Sequence, residues 1–341
     1  MSEFITLMHF KLNLIYNTTM QIFDYSDKDI FILGDLHGEF KKLLSFFRHL
    51  NGSTEQQEHS RRRRIRRNGK EIDDHKNTCF VVCGDCGFGF HKPKYYEEIL
   101  IKLQELLENQ NNVIIFVRGN HDDPSYFNTE LHGFAFNNIK FSNDYSVLLT
   151  KENTTLCIGG AISIDRAWRK ENHKNVNRFT HKPKSIIYWE DEAINTEINI
   201  VKELEANNIK IDSIISHAFP IDQTEYVKEY IDNEWLIEDI ELQNDVKAEW
   251  LYLFDLYNQL NTASNILWWA FGHYHTVIHS SHKNTQLFGL CPFDITGMPT
   301  YNDLSYFLSH GILCNPSELD GEMSEPMDIE DDIFEEDDDM F

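Results

Sequence analysis

Five short polar clusters each follow a run of apolar residues. Gly34-Asp35-Leu36-His37-Gly38 follows Asp29–Leu33, and Gly84-Asp85 follows Cys79–Cys83. Gly119-Asn120-His121-Asp122 follows Val113–Val117, Ser216-His217 follows Ile211–Ile215, and Gly272-His273-Tyr274-His275 follows Ile266–Phe271. One histidine at a strand end is an ordinary structural feature. Five such clusters in series point to chemistry. Asp, His and Asn together make a mixed oxygen and nitrogen ligand set, suited to a borderline or moderately hard divalent ion such as Mn²⁺, Fe²⁺ or Zn²⁺. Asp35 and His37, at i and i+2 of an extended segment, point the same way, and His273 and His275 do likewise. The adjacent glycines let the backbone come close without a Cβ clash. Two ions ~3.5–4 Å apart need one carboxylate between them, and Asp85 is placed for it.

Those clusters need elements to hold them. Asp29–Leu33, Cys79–Cys83 and Val113–Val117 read as buried strands. Between them lie helical spacings: Phe40, Leu43, Leu44, Phe47 and Leu50, stopped near Asn51-Gly52, and then Ile99, Leu100, Leu103, Leu106 and Leu107. Strand–helix alternation predicts a mainly parallel sheet with helices packed on it, and a site beyond the carboxyl ends of its strands. Tyr145–Leu149 and Thr155–Ile158 read as a hairpin leading to Gly159-Gly160. Residues 197–208 and 233–260 read as helical, Ile211–Ile215 and Ile266–Phe271 as strands, and Thr285–Leu290 as a strand that pairs back.

The whole-chain figures bound the reading. Of 341 residues, 31 are Lys or Arg and 56 are Asp or Glu, giving a formal charge of −25. That excludes a non-specific nucleic-acid coat, which needs a basic surface. No apolar run reaches the ~18 residues of a membrane span, and the first twenty residues lack the features of a signal peptide, so a cytoplasmic location is expected. Thirteen of the acidic residues lie between Glu318 and Asp339, leaving −12 for the rest of the chain. Residues 316–341 read as a disordered acidic tail. The opposite block, Arg61–Arg67, has six arginines in seven residues, within a polar loop insertion over 51–78. Each run is either a solvated segment or a ligand: the arginines a phosphate or nucleic-acid arm, the tail a partner for a basic protein or for the arginine loop. Residues 1–19 read as an N-terminal extension to a domain over 20–315. The six cysteines read as reduced and mostly buried. Cys83 and Cys86 have C-x-x-C spacing, but no second such pair exists and the Gly-Asp between them serves the polar clusters.

The series G-D-x-H-G, G-D, G-N-H-D, a lone His and G-H-x-H resembles the calcineurin-like metallophosphoesterase superfamily over roughly residues 28–290. The resemblance implies an α/β fold, a four-layer α/β/β/α sandwich of two mixed sheets around a dinuclear metal site. It implies that Asp35, His37, Asp85 and His275 hold one metal, and that Asp85, Asn120, His217 and His273 hold the other. Mn²⁺ is the first expectation, with Fe, Zn, Ni or Mg as alternatives. In this reading a hydroxide bridging the ions attacks phosphorus in line, and His121 assists the leaving group. The acid that protein phosphatases place in G-D-x-x-D-R-G is missing, since Asp85 runs into Cys86-Gly87-Phe88-Gly89-Phe90. Asp122 or Asp123 would have to partner His121. The absence moves the reading from protein phosphatase toward the broader phosphodiesterase and small-phosphatase branch. Ile158–Arg166 and Trp189–Glu192 resemble stretches of bacterial and phage members of that branch. Arg118, Arg166 or Arg169 could clamp a phosphate, or could form ordinary ion pairs. Rival readings are a nuclease using Arg61–Arg67, a protein phosphatase, and a non-catalytic scaffold.

Overall fold

The computed structural model describes residues 20–51, 76–127, 136–142, 144–175, 188–220, 239–275, 278–292 and 304–307. The Arg61–Arg67 block, the acidic tail, the first nineteen residues and Cys314 lie outside the described residues.

Two mixed sheets face each other. The first has five strands in the order β12-β2-β3-β4-β5. These are β2 (Asp29–Leu33), β3 (Thr78–Val82), β4 (Val113–Val117), β5 (Ile139–Ser142) and β12 (Leu304–Phe307). Neighbours from β2 to β5 run parallel, and β12 joins the β2 edge antiparallel. The second sheet has seven strands in the order β1-β6-β7-β8-β9-β11-β10. These are β1 (Gln21–Asp24), β6 (Tyr145–Leu149), β7 (Thr154–Ile158), β8 (Ser213–Ser216), β9 (Trp268–Phe271), β10 (Ile278–His282) and β11 (Thr285–Gly289).

The period of two along each strand sorts its side chains into layers. On the first sheet Phe31, Leu33, Phe80, Val82, Ile114 and Phe116 face outward. There they meet Phe40, Leu43 and Phe47 of α1 (Phe40–Asn51) and Tyr96, Ile99, Leu100 and Leu103 of α2 (Pro93–Glu108). The alternate residues, Ile30, Ile32, Val81, Ile115 and Val117, face the second sheet, where Leu148, Cys157, Ile215 and Ala270 meet them. The other face of that sheet, with Leu156, Ile158, Ile214, Trp269 and Phe271, is covered by α4 (Ile200–Ala206) and α5 (Leu242–Ser264). Four layers result, as the sequence led us to expect. Both faces of each sheet are covered, which is why the strands read as unbroken apolar runs rather than alternating ones.

Some expectations change. Thr285–Leu290 does lie against Ile266–Phe271, but β11 runs parallel to β9, because β10 returns first at the sheet edge and turns the chain over again. Arg166–Asn175 forms a helix, α3, an element that no expectation from the sequence covered. The helix expected over 197–208 is confined to Ile200–Ala206, with the Asn199 side chain accepting from the Lys202 amide at 3.1 Å as its cap. The long helix runs from Leu242 to Ser264 and is capped by Asn265, which takes a left-handed φ of 57°; residues 233–238 lie outside the described residues. Among the described residues, no helix is long and apolar enough to cross a membrane.

Candidate metal centre

All five polar clusters come together where parallel strands from the two sheets end. Asp35 and His37 follow β2, Asp85 follows β3, and Asn120 and His121 follow β4. His217 follows β8, and His273 and His275 follow β9. The loops are sharply bent. His37, Asp85, His273 and His275 have φ of 48°, 48°, 69° and 51°, the left-handed region that residues other than glycine rarely adopt. Among the described residues the other non-glycine residues there are four asparagines and Lys283, so apart from that lysine the non-asparagine side chains in this region cluster at this site. Two glycines show what the approach requires. A Cβ at Gly119 would strike the Asp85 carboxylate, and one at Gly272 would strike the Asp35 carboxylate. The glycines therefore make room for each other cluster's side chain, not only for an ion.

Asp35, His37, Asp85 and His275 each place a ligand atom within 4.8 Å of the others. His37 Nε2 and His275 Nε2 face each other at 2.9 Å, and Asp35 Oδ2 lies 3.8 and 3.4 Å from them. Asp85 Oδ2 is 3.9 Å from His37 Nδ1. Two carboxylates and two imidazoles thus converge on one point with no lysine or arginine among them. That donor set fits a divalent cation. On the other side of Asp85, His217 Nε2 lies 3.1 Å from Oδ1 and 2.9 Å from Asn120 Oδ1. The His273 ring sits 4.9 Å from the His217 ring, and its backbone N–H donates to both Asp35 oxygens at 3.2 and 3.0 Å. Asp85 is the carboxylate shared by the two groups of residues.

The electrostatics are those of a crowded buried centre. Burial works to raise Asp85, but His217, then His121 and His37, overcome it and hold the carboxyl well below its usual range. Burial alone would lower His217; Asp85 and Asp35 raise it to about 9. Burial drives His273 well down, and His217 adds to the effect. Burial also pushes His121 down to about 3, with Arg169 and His37 adding to it and Asp85 opposing. His121 is therefore a neutral imidazole near pH 7 in this state.

Of the remaining candidates, Arg169 is the one that reaches the centre. Its guanidinium nitrogens lie 3.1 Å from His121 Nδ1 and 2.8 Å from Nε2, and it also pairs with Asp165 at 2.7 Å. Arg166 is committed to Asp239 and Asp245, each at 2.6 Å. Arg118 is 2% exposed. It donates to Asp144 at 3.1 and 2.8 Å and to the carbonyls of Asp191, Glu192 and Ala193 at 3.1, 2.9 and 3.1 Å. It ties the 191–193 segment to the end of β4 and has no donor left for a phosphate. Asp122 does not partner His121. Its carboxylate accepts the backbone N–H groups of Gly119, Cys86, Gly87 and Phe88 at 2.8, 3.0, 2.7 and 3.0 Å, folding two of the loops onto each other. Asp123 caps the following 3-10 turn through Ser125.

Two buried residues beyond the ligand set were not singled out by motif. Asn120 Nδ2 donates to Ser163 Oγ at 2.8 Å. Ser163 Oγ in turn donates to Glu192 Oε2 at 2.6 Å, and Ser163 N donates to Oε1 at 2.8 Å. The chain fixes which end of the Asn120 amide faces His217: the oxygen. Burial pushes Glu192 up to about 7, against its two bonds from Ser163. The signal in sequence was the pair of stretches Ile158–Arg166 and Trp189–Glu192, within which Ser163 and Glu192 had no visible use until the fold placed them behind Asn120.

An α/β/β/α sandwich with paired carboxylate–histidine clusters at its strand ends defines a metallohydrolase architecture. The calcineurin-like phosphoesterase family matches residues 28–277, and this chain belongs to that family. It is a metal-dependent phosphoester hydrolase. No curated protein matches it. Among solved structures it is similar to the phosphopantetheinyl hydrolase of Mycobacterium tuberculosis, at 10% identity and a TM-score of 0.40, covering 86% of this chain and 100% of that one. It is also similar to a protein serine/threonine phosphatase of Saccharomyces cerevisiae, at 15% identity and a TM-score of 0.31, covering 83% and 75%. A cold-active protein-tyrosine phosphatase of a Shewanella species matches at 14% identity and a TM-score of 0.26, covering 80% and 72%.

Proposed function

We propose that the chain hydrolyses phosphate esters at a centre of two divalent ions, Mn²⁺ in the first instance. Asp35, His37, Asp85 and His275 hold one, and Asp85, Asn120, His217 and His273 hold the other. The observation that carries the reading is the convergence of the first four residues, with His121 and Arg169 standing beside them. Two such ions supply Lewis acidity and a water acidic enough to attack phosphorus at neutral pH. The chain supplies the rest. Asp85 lies between the two ligand groups and keeps them at a fixed spacing. Asn120 and the Arg169 guanidinium donate to non-bridging phosphoryl oxygens, where charge must be neutralised. His121, held by its backbone N–H on Asp85 Oδ1 at 2.8 Å, presents a ring N–H to the leaving oxygen. Arg169 faces both ring nitrogens, and a neutral imidazole can accept at one of them only. A phosphate oxygen between the two groups would take the remaining donors.

The test is hydrolysis of 4-nitrophenyl phosphate and bis(4-nitrophenyl) phosphate with Mn²⁺, comparing wild type, Asp85→Asn and His121→Ala. Turnover by wild type is expected, with a loss of roughly 10²–10⁴ in His121→Ala and a larger one in Asp85→Asn. Equal inertness of all three proteins across several metals would sink the reading.

A further inference from the structure

Phe90 and Trp189 have no part in holding ions or phosphate, yet they stand at the mouth of the site. Phe90 lies in the loop that carries Asp85, and its ring meets the His121 ring edge-on, with centroids 6.3 Å apart at 84°. Trp189 lies nearly parallel to Phe90, with centroids 6.4 Å apart at 24°. The indole is laid directly on the loop backbone: a Cβ at Gly89 would come within 2.6 Å of its Cζ2 and 2.7 Å of the Asp123 Cβ. Phe88, two residues before Phe90, points the opposite way and is fully buried among Phe40, Tyr96, Phe116 and Phe141. Phe90 and Trp189 are only half-buried. The loop therefore sends one aromatic ring into the core and leaves the next in partial contact with water, beside a charged centre.

The position of this pair has a chemical meaning. His121 is the residue that attends the leaving oxygen, so whatever that oxygen carries passes close to Phe90. We propose that Phe90 and Trp189 form the binding shelf for the leaving group, and that this group carries a planar aromatic or heteroaromatic ring. Flat rings with exposed faces attract a third flat ring through offset or edge-to-face contact, and such stacking tolerates many ring types. Two kinds of ester share this chemistry: an aryl phosphate, with its ring on the leaving oxygen, and a nucleotide, with its base one sugar away. The inference rests on the phosphoesterase reading and names its substrate class.

The experiment compares wild type, Phe90→Leu and Trp189→Leu with Mn²⁺ on three esters: 4-nitrophenyl phosphate, a nucleoside 5′-monophosphate and glycerol 2-phosphate. Leucine keeps an apolar side chain and removes the ring. The ratio of kcat/KM on a ring-bearing ester to that on glycerol phosphate should fall about tenfold in each variant, chiefly through KM. The ester showing the larger fall identifies whether the ring sits on the oxygen or a sugar away. Calorimetry with phenylphosphonate and methylphosphonate gives a readout without turnover. Wild type should prefer the phenyl compound, and Phe90→Leu should lose that preference. Equal losses on all esters, with no phenyl preference in wild type, would overturn this inference alone. No hydrolysis of any ester by wild type would overturn the phosphoesterase reading instead.

Discussion

Asn120 illustrates how much of the proposed metal site lies outside the residues assigned to the ions. An amide can present its oxygen or its nitrogen, and only the oxygen is useful to a cation. Ser163 and Glu192 decide the matter by accepting from the nitrogen end through a chain of 2.8 and 2.6 Å bonds, all of it buried. Ser163→Ala leaves one Asn120 N–H without its acceptor and lets the amide turn over. If Asn120 holds an ion as proposed, the change should weaken Mn²⁺ binding at that position by ~10–100-fold, the usual cost of losing an outer partner. Titration calorimetry with Mn²⁺ measures this, and Ser163→Thr, which restores a hydroxyl, should recover part of the affinity. Unchanged affinity in Ser163→Ala would remove the orienting role.

At the scale of elements, the site is a joint between loops. Asp122 holds the loop after β3 to the loop after β4, and Arg118 holds the end of β4 to the 191–193 segment that carries Glu192. Gly160 N–H donates to the Arg118 carbonyl at 2.8 Å, and Ala161 N–H donates to the Glu192 carbonyl at 3.1 Å, so the segment carrying Ser163 is tied in as well. Arg118→Leu removes a buried cation and strands three backbone carbonyls. It should cost ~3 kcal/mol in urea unfolding, in the range for breaking a buried pair. Asp144→Asn should cost much less, because its side chain is 30% exposed and water can replace the bond. Equal effects would mean that the ion pair, and not the carbonyl contacts, is what holds the joint.

The whole molecule carries a pH dependence from carboxyls far from its surface. Burial pushes Glu249, on α5, up to about 8 from an ordinary value of 4.5, and Glu192 up to about 7. In the unfolded chain both have lost their protons well below neutrality. At these two groups the folded protein binds more protons than the unfolded protein between pH ~4.5 and ~8, so their contribution to stability falls as pH rises through that window. Above it both states are ionised and the slope ends. Glu249→Gln removes the larger contribution. Its thermal midpoint should match wild type near pH 5, exceed it near pH 8.5, and vary less in between. Parallel midpoint curves from pH 5 to 9 would show that Glu249 is already charged in the folded chain.

The sequence by itself marked the polar residues that converge in the structure and the strands that carry them. Five apolar runs each ending in Asp, His or Asn leave few alternatives, because buried parallel strands end at a common edge and send their following residues to one place. The helix spacings of α1 and α2 were equally legible, since each buries one apolar face on the sheet. Tertiary structure alone decided what each polar residue near the site touches. Arg118, Arg166 and Arg169 look alike in sequence, yet apart from the local Arg169–Asp165 pair their partners lie 26 to 79 residues away, and of the three only Arg169 reaches His121. Asp122 sits beside His121 in the chain, but four backbone N–H groups claim its carboxylate. Ser163 and Glu192 have no motif that marks them. Strand and helix periods are local and can be read residue by residue. A hydrogen bond between distant loops depends on where both loops end, and the chain settles that only when the two sheets close on each other.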